Sequence, residues 1–137
     1  MNNNYSIEGN GLLFVDHYEQ MLHPDLRGKA KIVYEFDATD MASGFMFPAM
    51  AREFRRGGIQ FAAIFSYDML RTAPMNLGWQ THFFNMVFTP SKAVSSMIAA
   101  EVMRRIPRGK HFGYYPDNRT FDDFRVSYDE QLGELNS

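Results

Sequence analysis

The sequence predicts an α/β fold built around a parallel sheet, and three observations lead to this prediction. Two short segments rich in strand-forming residues, 30–37 and 59–67, are apolar on both faces, which is typical of parallel strands covered on two sides. Each strand is followed along the chain by a segment whose apolar residues recur at helical spacing. Strands that alternate with helices of this length indicate βαβ units.

The composition excludes several classes of protein. The 137 residues suit one domain, and the 45% that are hydrophobic suffice for one core. A net charge of -2 argues against a nucleic-acid partner, because duplex binders neutralise phosphates with a basic face. The absence of cysteine excludes a disulfide scaffold and a thiolate nucleophile. The apolar runs fall far short of the roughly 18 residues that span a bilayer, and the polar first residues do not resemble a signal peptide, so we expect no membrane partner.

Two helices are predicted in the first half of the chain. Apolar residues recur at helical spacing over 12–22, and the proline after His23 ends this helix. The second helix, 44–56, has a proline near its start and two glycines after its end. We expect the arginines of this helix to form its solvated face; they are Arg52, Arg55 and Arg56.

The second half contains one predicted helix between two less regular segments. A long loop covers 68–80, and segment 82–88 fits either a strand or a helical turn. Thr89 and Pro90 cap the helix 91–106. We expect its buried stripe to consist of Val94, Met97, Ile98, Val102 and Ile106. The aromatic tail that follows is predicted to be extended rather than helical.

Glu35 lies near the end of the first predicted strand. Because side chains alternate along a strand, Val33, Glu35 and Asp37 share one face, and Tyr34 and Phe36 lie on the other. If Tyr34 and Phe36 pack against helices, Glu35 points into the interior of the sheet or of a barrel. A carboxylate in that place is costly unless it is hydrogen-bonded or has a chemical task. A purely structural carboxylate, satisfied by backbone N–H groups or an arginine, remains the alternative.

Two strands alone make an incomplete sheet. A two-stranded parallel sheet leaves both edges open and buries little apolar surface. We therefore expect this sequence to be a piece of a larger α/β fold.

Four segments carry a resemblance to a known family: AKIVYEFD at 30–37, FPAMAR at 47–52, FSYD at 65–68 and WQTH at 79–82. Together they resemble the last part of a TIM-barrel retaining glycoside hydrolase of clan A, the cellulase and β-galactosidase-like bacterial enzymes. In that clan a Glu at the end of barrel strand seven is the nucleophile, and helix seven, strand eight and helix eight follow it. The order here is the same, with Glu35 in the place of the nucleophile, over roughly residues 10–130.

The sequence departs from this family at two points. The general acid/base of the family is a Glu that ends strand four, commonly after Asn, and this chain has no such strand. Strand eight of the family often ends in a sugar-stacking Trp, whereas Phe65, Ser66 and Tyr67 stand here. The identity of the second carboxyl group therefore stays open.

The resemblance implies a partial (β/α)8 TIM barrel over residues 1–112, consisting of its last strand–helix units. Residues 113–137 would be an exit segment toward a further domain. The implied reaction is hydrolysis of a β-linked glycoside by retaining double displacement, with Glu35 as nucleophile and no cofactor or metal. Because the acid/base half of the barrel is missing, we expect the chain to be inactive or nearly so when alone. The family is mostly secreted or periplasmic.

Five further residues are candidates for binding an oligo- or polysaccharide substrate: Asp37, Tyr67, Asp68, Trp79 and His82. The aromatic rings suit the C–H faces of sugars, and the polar groups suit their hydroxyls. Each candidate also has a structural interpretation, since the aspartates can cap loops and Trp79 and His82 can pack on the core. A non-catalytic carbohydrate-binding or assembly protein is the alternative function, and exposed barrel edges predict oligomerisation in either case.

Overall fold

A computed structural model of the chain describes residues 9–38, 43–75 and 84–136, so that Trp79 and His82 lie outside the described residues. Within these ranges the fold is mixed α/β, with three α-helices and two small sheets. The helices are α1 (Leu12–Val15), α2 (Met46–Arg56) and α3 (Pro90–Arg105). The strands are β1 (Ile32–Phe36), β2 (Phe61–Ile64), β3 (Thr120–Phe121), β4 (Phe124–Ser127) and β5 (Leu132–Leu135). None of the helices in these ranges is long and apolar enough to cross a bilayer.

The predicted parallel pairing of the first two strands is confirmed. Strands β1 and β2 pair in parallel, with Ile32 opposite Phe61, and the Phe65 N–H donates to the Phe36 carbonyl at 2.9 Å just beyond β2. Helix α2 connects the two strands, as a parallel crossover requires. One face of this sheet packs on the core through half-buried Val33, Phe36, Ala62 and Ile64.

The predicted helix over 12–22 is interrupted. Helix α1 ends at Val15, and a separate 3₁₀ turn covers Glu19–Leu22. The break follows Asp16, whose carboxylate accepts a hydrogen bond from the Tyr115 N–H at 2.6 Å. A contact with the far end of the chain therefore accompanies the end of the helix that local spacing alone would continue.

Helix α2 is buried along nearly its whole length, so the prediction of a solvated arginine face is wrong for Arg52. All residues from Met46 to Phe54 are buried, and Arg52 is only 3% exposed. Arg55 and Arg56 are half-buried; the Arg55 side chain donates to the carbonyls of Ile106 and Ile59. The helix is covered on several sides because α1, α3, the parallel sheet and the C-terminal strands all pack against it.

Helix α3 starts at Pro90 after Thr89, close to the predicted boundary. The prediction of its buried stripe is right for three of the five residues. Val102 and Ile106 are buried and Ile98 packs on the core, but Val94 and Met97 are exposed. The other buried positions of the helix are small or polar: Lys92, Ala93, Ser95 and Ala99. Small side chains bring α3 close to α2, which the apolar pattern did not predict.

The tail forms the antiparallel sheet β3-β4-β5, in agreement with the prediction that it is extended rather than helical. Asp122 adopts a positive φ of 53° between β3 and β4, where the chain turns back. The sheet lies against the start of α2, since the Gly44 N–H donates to the Gln131 carbonyl at 3.2 Å. A Cβ on Gly133 would lie 2.7 Å from the Gly44 carbonyl oxygen and 2.8 Å from Pro48, so this contact requires glycine.

Candidate functional site

Strand β1 contains an irregularity that decides where Glu35 points. Between Val33 and Phe36 the register of β1 advances by three residues, whereas its partner β2 advances by two, from Ala62 to Ile64. This is a β-bulge, with one extra residue in β1. Val33 and Phe36 therefore both face the core, and Tyr34 and Glu35 are both exposed. The predicted strict alternation is wrong in this strand, because the bulge shifts the second half of it by one residue.

Phe36 is fixed on the helical side of the sheet by two aromatic contacts. Its ring lies 5.6 Å from that of Phe47 and 5.1 Å from that of Phe54, both edge to face and both on α2. Such pairs stabilise a packed core beyond the area that they bury. They hold the residue after Glu35 inward, and so keep Glu35 on the exposed side of the bulge.

The face of the parallel sheet opposite the helices is apolar and uncovered by any described residue. It carries four large side chains, Ile32, Tyr34, Phe61 and Phe65, of which Tyr34 is 77% exposed. Exposed Glu35 follows Tyr34 at the carboxyl end of β1, which is the end of a parallel sheet where ligands bind in α/β proteins. An exposed carboxylate next to an exposed aromatic ring can bind a sugar ring. The carboxylate would contact the hydroxyl groups, and the aromatic ring would contact the apolar C–H face.

Asp37 is placed differently from Glu35, although only two residues separate them. Its carboxylate is buried and lies 2.8 Å from the Nζ of Lys92, a residue of α3 with no exposed surface. The ammonium is also 5.7 Å from the centre of the Phe47 ring. Because a buried charge requires a partner, this pair ties the carboxyl end of β1 to α3.

A small cleft opens beside Asp37. Its volume is about 230 Å³, and it lies between the segment that contains α1, the end of β1 and the first half of α2. Phe14 and Tyr18 form its exposed rim, and Met46 and Met50 form its buried wall. Asp37 is thus close to an accessible hollow even though its side chain is buried.

Tyr67 and Asp68 follow β2, at the same end of the sheet as Glu35. Tyr67 is 55% exposed, and its ring stands edge to face with Phe84 at 5.3 Å. Asp68 is engaged with the segment before α3: its Oδ2 accepts from the Phe84 N–H at 3.0 Å, and its backbone N–H donates to the Phe84 carbonyl at 2.8 Å. These bonds position the end of β2, and they match the loop-cap interpretation of Asp68.

The six candidates therefore separate into groups. Glu35 and Tyr67 are exposed at the carboxyl end of the sheet, Asp37 and Asp68 make internal contacts there, and Trp79 and His82 fall outside the described ranges. Among the residues that the structure describes, no cluster of three or more histidine or acidic side chains could hold a metal ion.

Sequence reasoning missed Lys92, the residue that anchors Asp37. A signal was present: Lys92, Ala99, Val102 and Ile106 recur at helical spacing, so a lysine stands on the buried stripe of an otherwise apolar pattern. A lysine in such a position indicates either that the stripe is not buried or that the lysine pairs with a buried acid.

Comparisons of the chain with models of protein families, with curated proteins and with solved structures found no match.

Proposed function

We propose that this chain is the C-terminal portion of a TIM-barrel retaining glycoside hydrolase, with Glu35 as its nucleophile. The observation that carries the proposal is the position of Glu35: the β1 bulge turns it away from the helices, at the carboxyl end of a parallel strand. Every characterised TIM-barrel enzyme places its reacting groups at that end of the strands.

The packing around the sheet supports a barrel over the other common parallel fold. Helices α2 and α3 pack against each other and share one core with one face of the parallel sheet. The face opposite the helices is apolar and exposed. Doubly wound sheets carry helices on both faces. In a barrel, by contrast, the second face is apolar because it points into the barrel interior, which packed side chains fill.

The mechanism that this position allows begins with an attack of the Glu35 carboxylate on the anomeric carbon of a β-glycoside. The bond from that carbon to the leaving oxygen breaks, and a second carboxyl group about 5–5.5 Å away protonates the oxygen. The same group then removes a proton from water, which displaces Glu35 and releases the sugar with its configuration retained. In the family that the chain resembles, the second carboxyl group stands on barrel strand four, which is not among the strands that the structure describes. The proposal therefore includes very low turnover by the chain alone.

The test is covalent labelling, which needs only the nucleophile. The probe is a β-glycoside with fluorine beside the anomeric carbon and a dinitrophenolate leaving group. Because this leaving group departs without acid assistance, the sugar accumulates on the attacking carboxylate. We expect mass spectrometry to locate the added sugar on Glu35, for at least one member of a panel of common sugars. Glu35→Gln should abolish labelling, and Glu19→Gln, a change at another exposed glutamate, should not. A folded chain that no sugar labels at Glu35 contradicts the proposal.

A carbohydrate-binding function without bond cleavage is the second candidate, and the exposed rings of Tyr34 and Tyr67 favour it. Their faces carry the partial negative charge that attracts sugar C–H groups. Glycan retention that survives Glu35→Gln and disappears on Tyr34→Ala identifies a binder. Labelling at Glu35 identifies the enzyme.

A further inference from the structure

We propose that the end of the molecule opposite Glu35 binds an acidic polysaccharide, a chain of sugars with repeated carboxylate or sulfate groups. The inference rests on the proposed function, since it names the class of glycan to which the enzyme would attach. The surface concerned, the basic end, consists of residues 27–31, 55–58 and 104–110. These residues lie at the amino ends of β1 and β2 and at the carboxyl ends of α2 and α3.

Hydrogen bonds bring the three segments of the basic end together. The Lys31 Nζ donates to the Gly57 carbonyl at 2.9 Å, which joins the start of β1 to the end of α2. The Arg55 side chain donates to the Ile106 carbonyl at 2.7 Å. The Gly109 N–H in turn donates to the Arg55 carbonyl at 2.7 Å. The segment before β1 and the segment after α3 therefore both lie against the end of α2.

Some cations of the basic end have a structural role. Arg104 and Arg105 pair with Glu101 on α3. Arg56 pairs with Glu53 on α2. Cations near the carboxyl end of a helix also interact favourably with the helix dipole. These residues need no ligand to account for them.

The other exposed cations of this end have no acidic partner within the described part of the chain. Arg27 and Lys29 precede β1, and Arg108 and Lys110 follow α3. Burial and, to a smaller extent, the charge of Arg108 lower the pKa of the Arg55 guanidinium. Because cations held together raise the electrostatic potential of a surface, an anion bound here would relieve their repulsion.

An exposed aromatic ring next to these cations favours a sugar ligand. Tyr114 is 58% exposed, and its ring lies 4.9 Å from that of His111, the residue after Lys110. Aromatic faces suit the C–H faces of sugars, and guanidinium groups bind carboxylates through paired hydrogen bonds. A nucleic acid fits less well, because the sequence has a net charge of -2 and nucleic-acid binding requires many phosphates to be neutralised.

The basic end is separate from the proposed catalytic site. Glu35 lies near the carboxyl end of β1, and the active site of a TIM barrel occupies that face. A glycan at the opposite face would keep the protein on a polysaccharide without entering the catalytic site. The strand edges and the exposed apolar sheet face, which the other strands of a barrel would cover, take no part in this surface.

Calorimetric titration of the purified chain tests the proposal. The probes are polygalacturonate, which carries carboxylates, dextran sulfate, which carries sulfates, and uncharged dextran. We expect at least one acidic polymer to bind, with an affinity that falls as salt is added. Dextran should bind about tenfold more weakly or not at all. Tighter binding of polygalacturonate assigns carboxylate as the recognised group, and tighter binding of dextran sulfate assigns sulfate.

Two matched double variants locate the binding surface. Arg108→Ala with Lys110→Ala removes two cations from the basic end and should weaken binding of the acidic polymer about tenfold or more. Arg71→Ala with Arg119→Ala removes two cations from exposed positions outside the basic end, and should change the affinity less than about twofold. Equal weakening by the two variants overturns the proposal. So does the absence of binding to both acidic polymers, or tighter binding of single-stranded oligothymidylate than of either.

Failure of this inference is distinguishable from failure of the proposed function, because polymer binding and covalent labelling are measured separately on the wild-type chain. Labelling of Glu35 without binding of an acidic polymer overturns the role of the basic end alone. Binding that depends on Arg108 and Lys110, without labelling of Glu35, retains the basic end and contradicts the nucleophile.

Discussion

The guanidinium carbon of Arg52 lies 3.4 Å from the centre of the Tyr115 ring, within the buried interior. The same guanidinium donates hydrogen bonds to the backbone carbonyls of Gly113 and Asn118 and lies 3.6 Å from a carboxylate oxygen of Asp16. Arg52 therefore joins three parts of the chain: α2, the segment after α1, and the tail that leads into the C-terminal sheet.

Replacing Arg52 should strongly destabilise the fold. Arg52→Met leaves the carboxylate of Asp16, which is itself nearly buried, without its cationic partner. Breaking a buried ion pair from one side costs about 3–5 kcal/mol. Urea unfolding followed by circular dichroism measures the loss. Arg104→Met is the control, since that exposed side chain pairs with Glu101 and its loss should cost less than about 1 kcal/mol. Equal losses for the two variants would show that the Arg52 contacts contribute little.

Tyr115 should make the stability fall at alkaline pH. Burial raises the pKa of Tyr115 above its ordinary value of 10.0, against a smaller opposite effect of the Arg52 charge. Below pH 10 the phenol is protonated in both states, and its contribution is fully present. Above that pH the unfolded chain releases the proton and the folded chain keeps it. The free energy of unfolding should therefore decrease, by up to roughly 1.4 kcal/mol per pH unit.

Tyr115→Phe should remove this part of the pH dependence. At neutral pH the variant should be as stable as the wild type or more so, because no described residue hydrogen-bonds the buried Tyr115 hydroxyl. Urea unfolding at several pH values between 8 and 11 or so measures both effects. Tyr114→Phe, at an exposed neighbouring ring, should retain the alkaline loss. An unchanged pH profile in Tyr115→Phe would disprove the assignment.

The ion pair between Lys92 and Asp37 should couple α3 to the end of β1. Lys92→Met should cost about 3–5 kcal/mol, because the Asp37 carboxylate stays buried without the ammonium. Asp37→Asn should cost less in the Lys92→Met background than in the wild type, and the coupling free energy should exceed about 1 kcal/mol. Unfolding of the two single variants and the double variant measures it. Additive effects would mean that the pair does not act as a unit.

The purified chain should show no measurable turnover of an aryl β-glycoside. A retaining glycosidase needs a second carboxyl group to activate water, and without it the glycosyl-enzyme persists. Release of the aryl group, followed by absorbance, should therefore stop at or below one equivalent per chain. Continuous turnover that Glu35→Gln abolishes would contradict this expectation and would mean that the chain carries its own acid/base.

Much of the architecture was predictable because it depends on local signals. The strands around Val33 and Ala62, their parallel pairing, and the ends of α2 and α3 follow from β-forming composition and from proline and glycine at helix boundaries. These signals act within a few residues, so the sequence contains them directly.

The rest depends on contacts between distant segments. Arg52 is buried because the tail supplies two carbonyls and an aromatic ring more than 60 residues away in the chain. Val94 and Met97 are exposed because α3 contacts α2 through small residues rather than through its largest ones. Neither arrangement follows from the spacing of apolar residues within one helix, and the position of Glu35 depends on a bulge that alternation does not predict.

The extra residue in β1 also limits how this chain can change. If β1 paired with β2 without the bulge, strict alternation after Val33 would turn Glu35 toward the aromatic side of α2, where Phe36 now packs. A glutamate inserted among phenylalanines would have to be neutralised or expelled. A change of register in this short strand should therefore be far less tolerated than substitutions at its exposed positions.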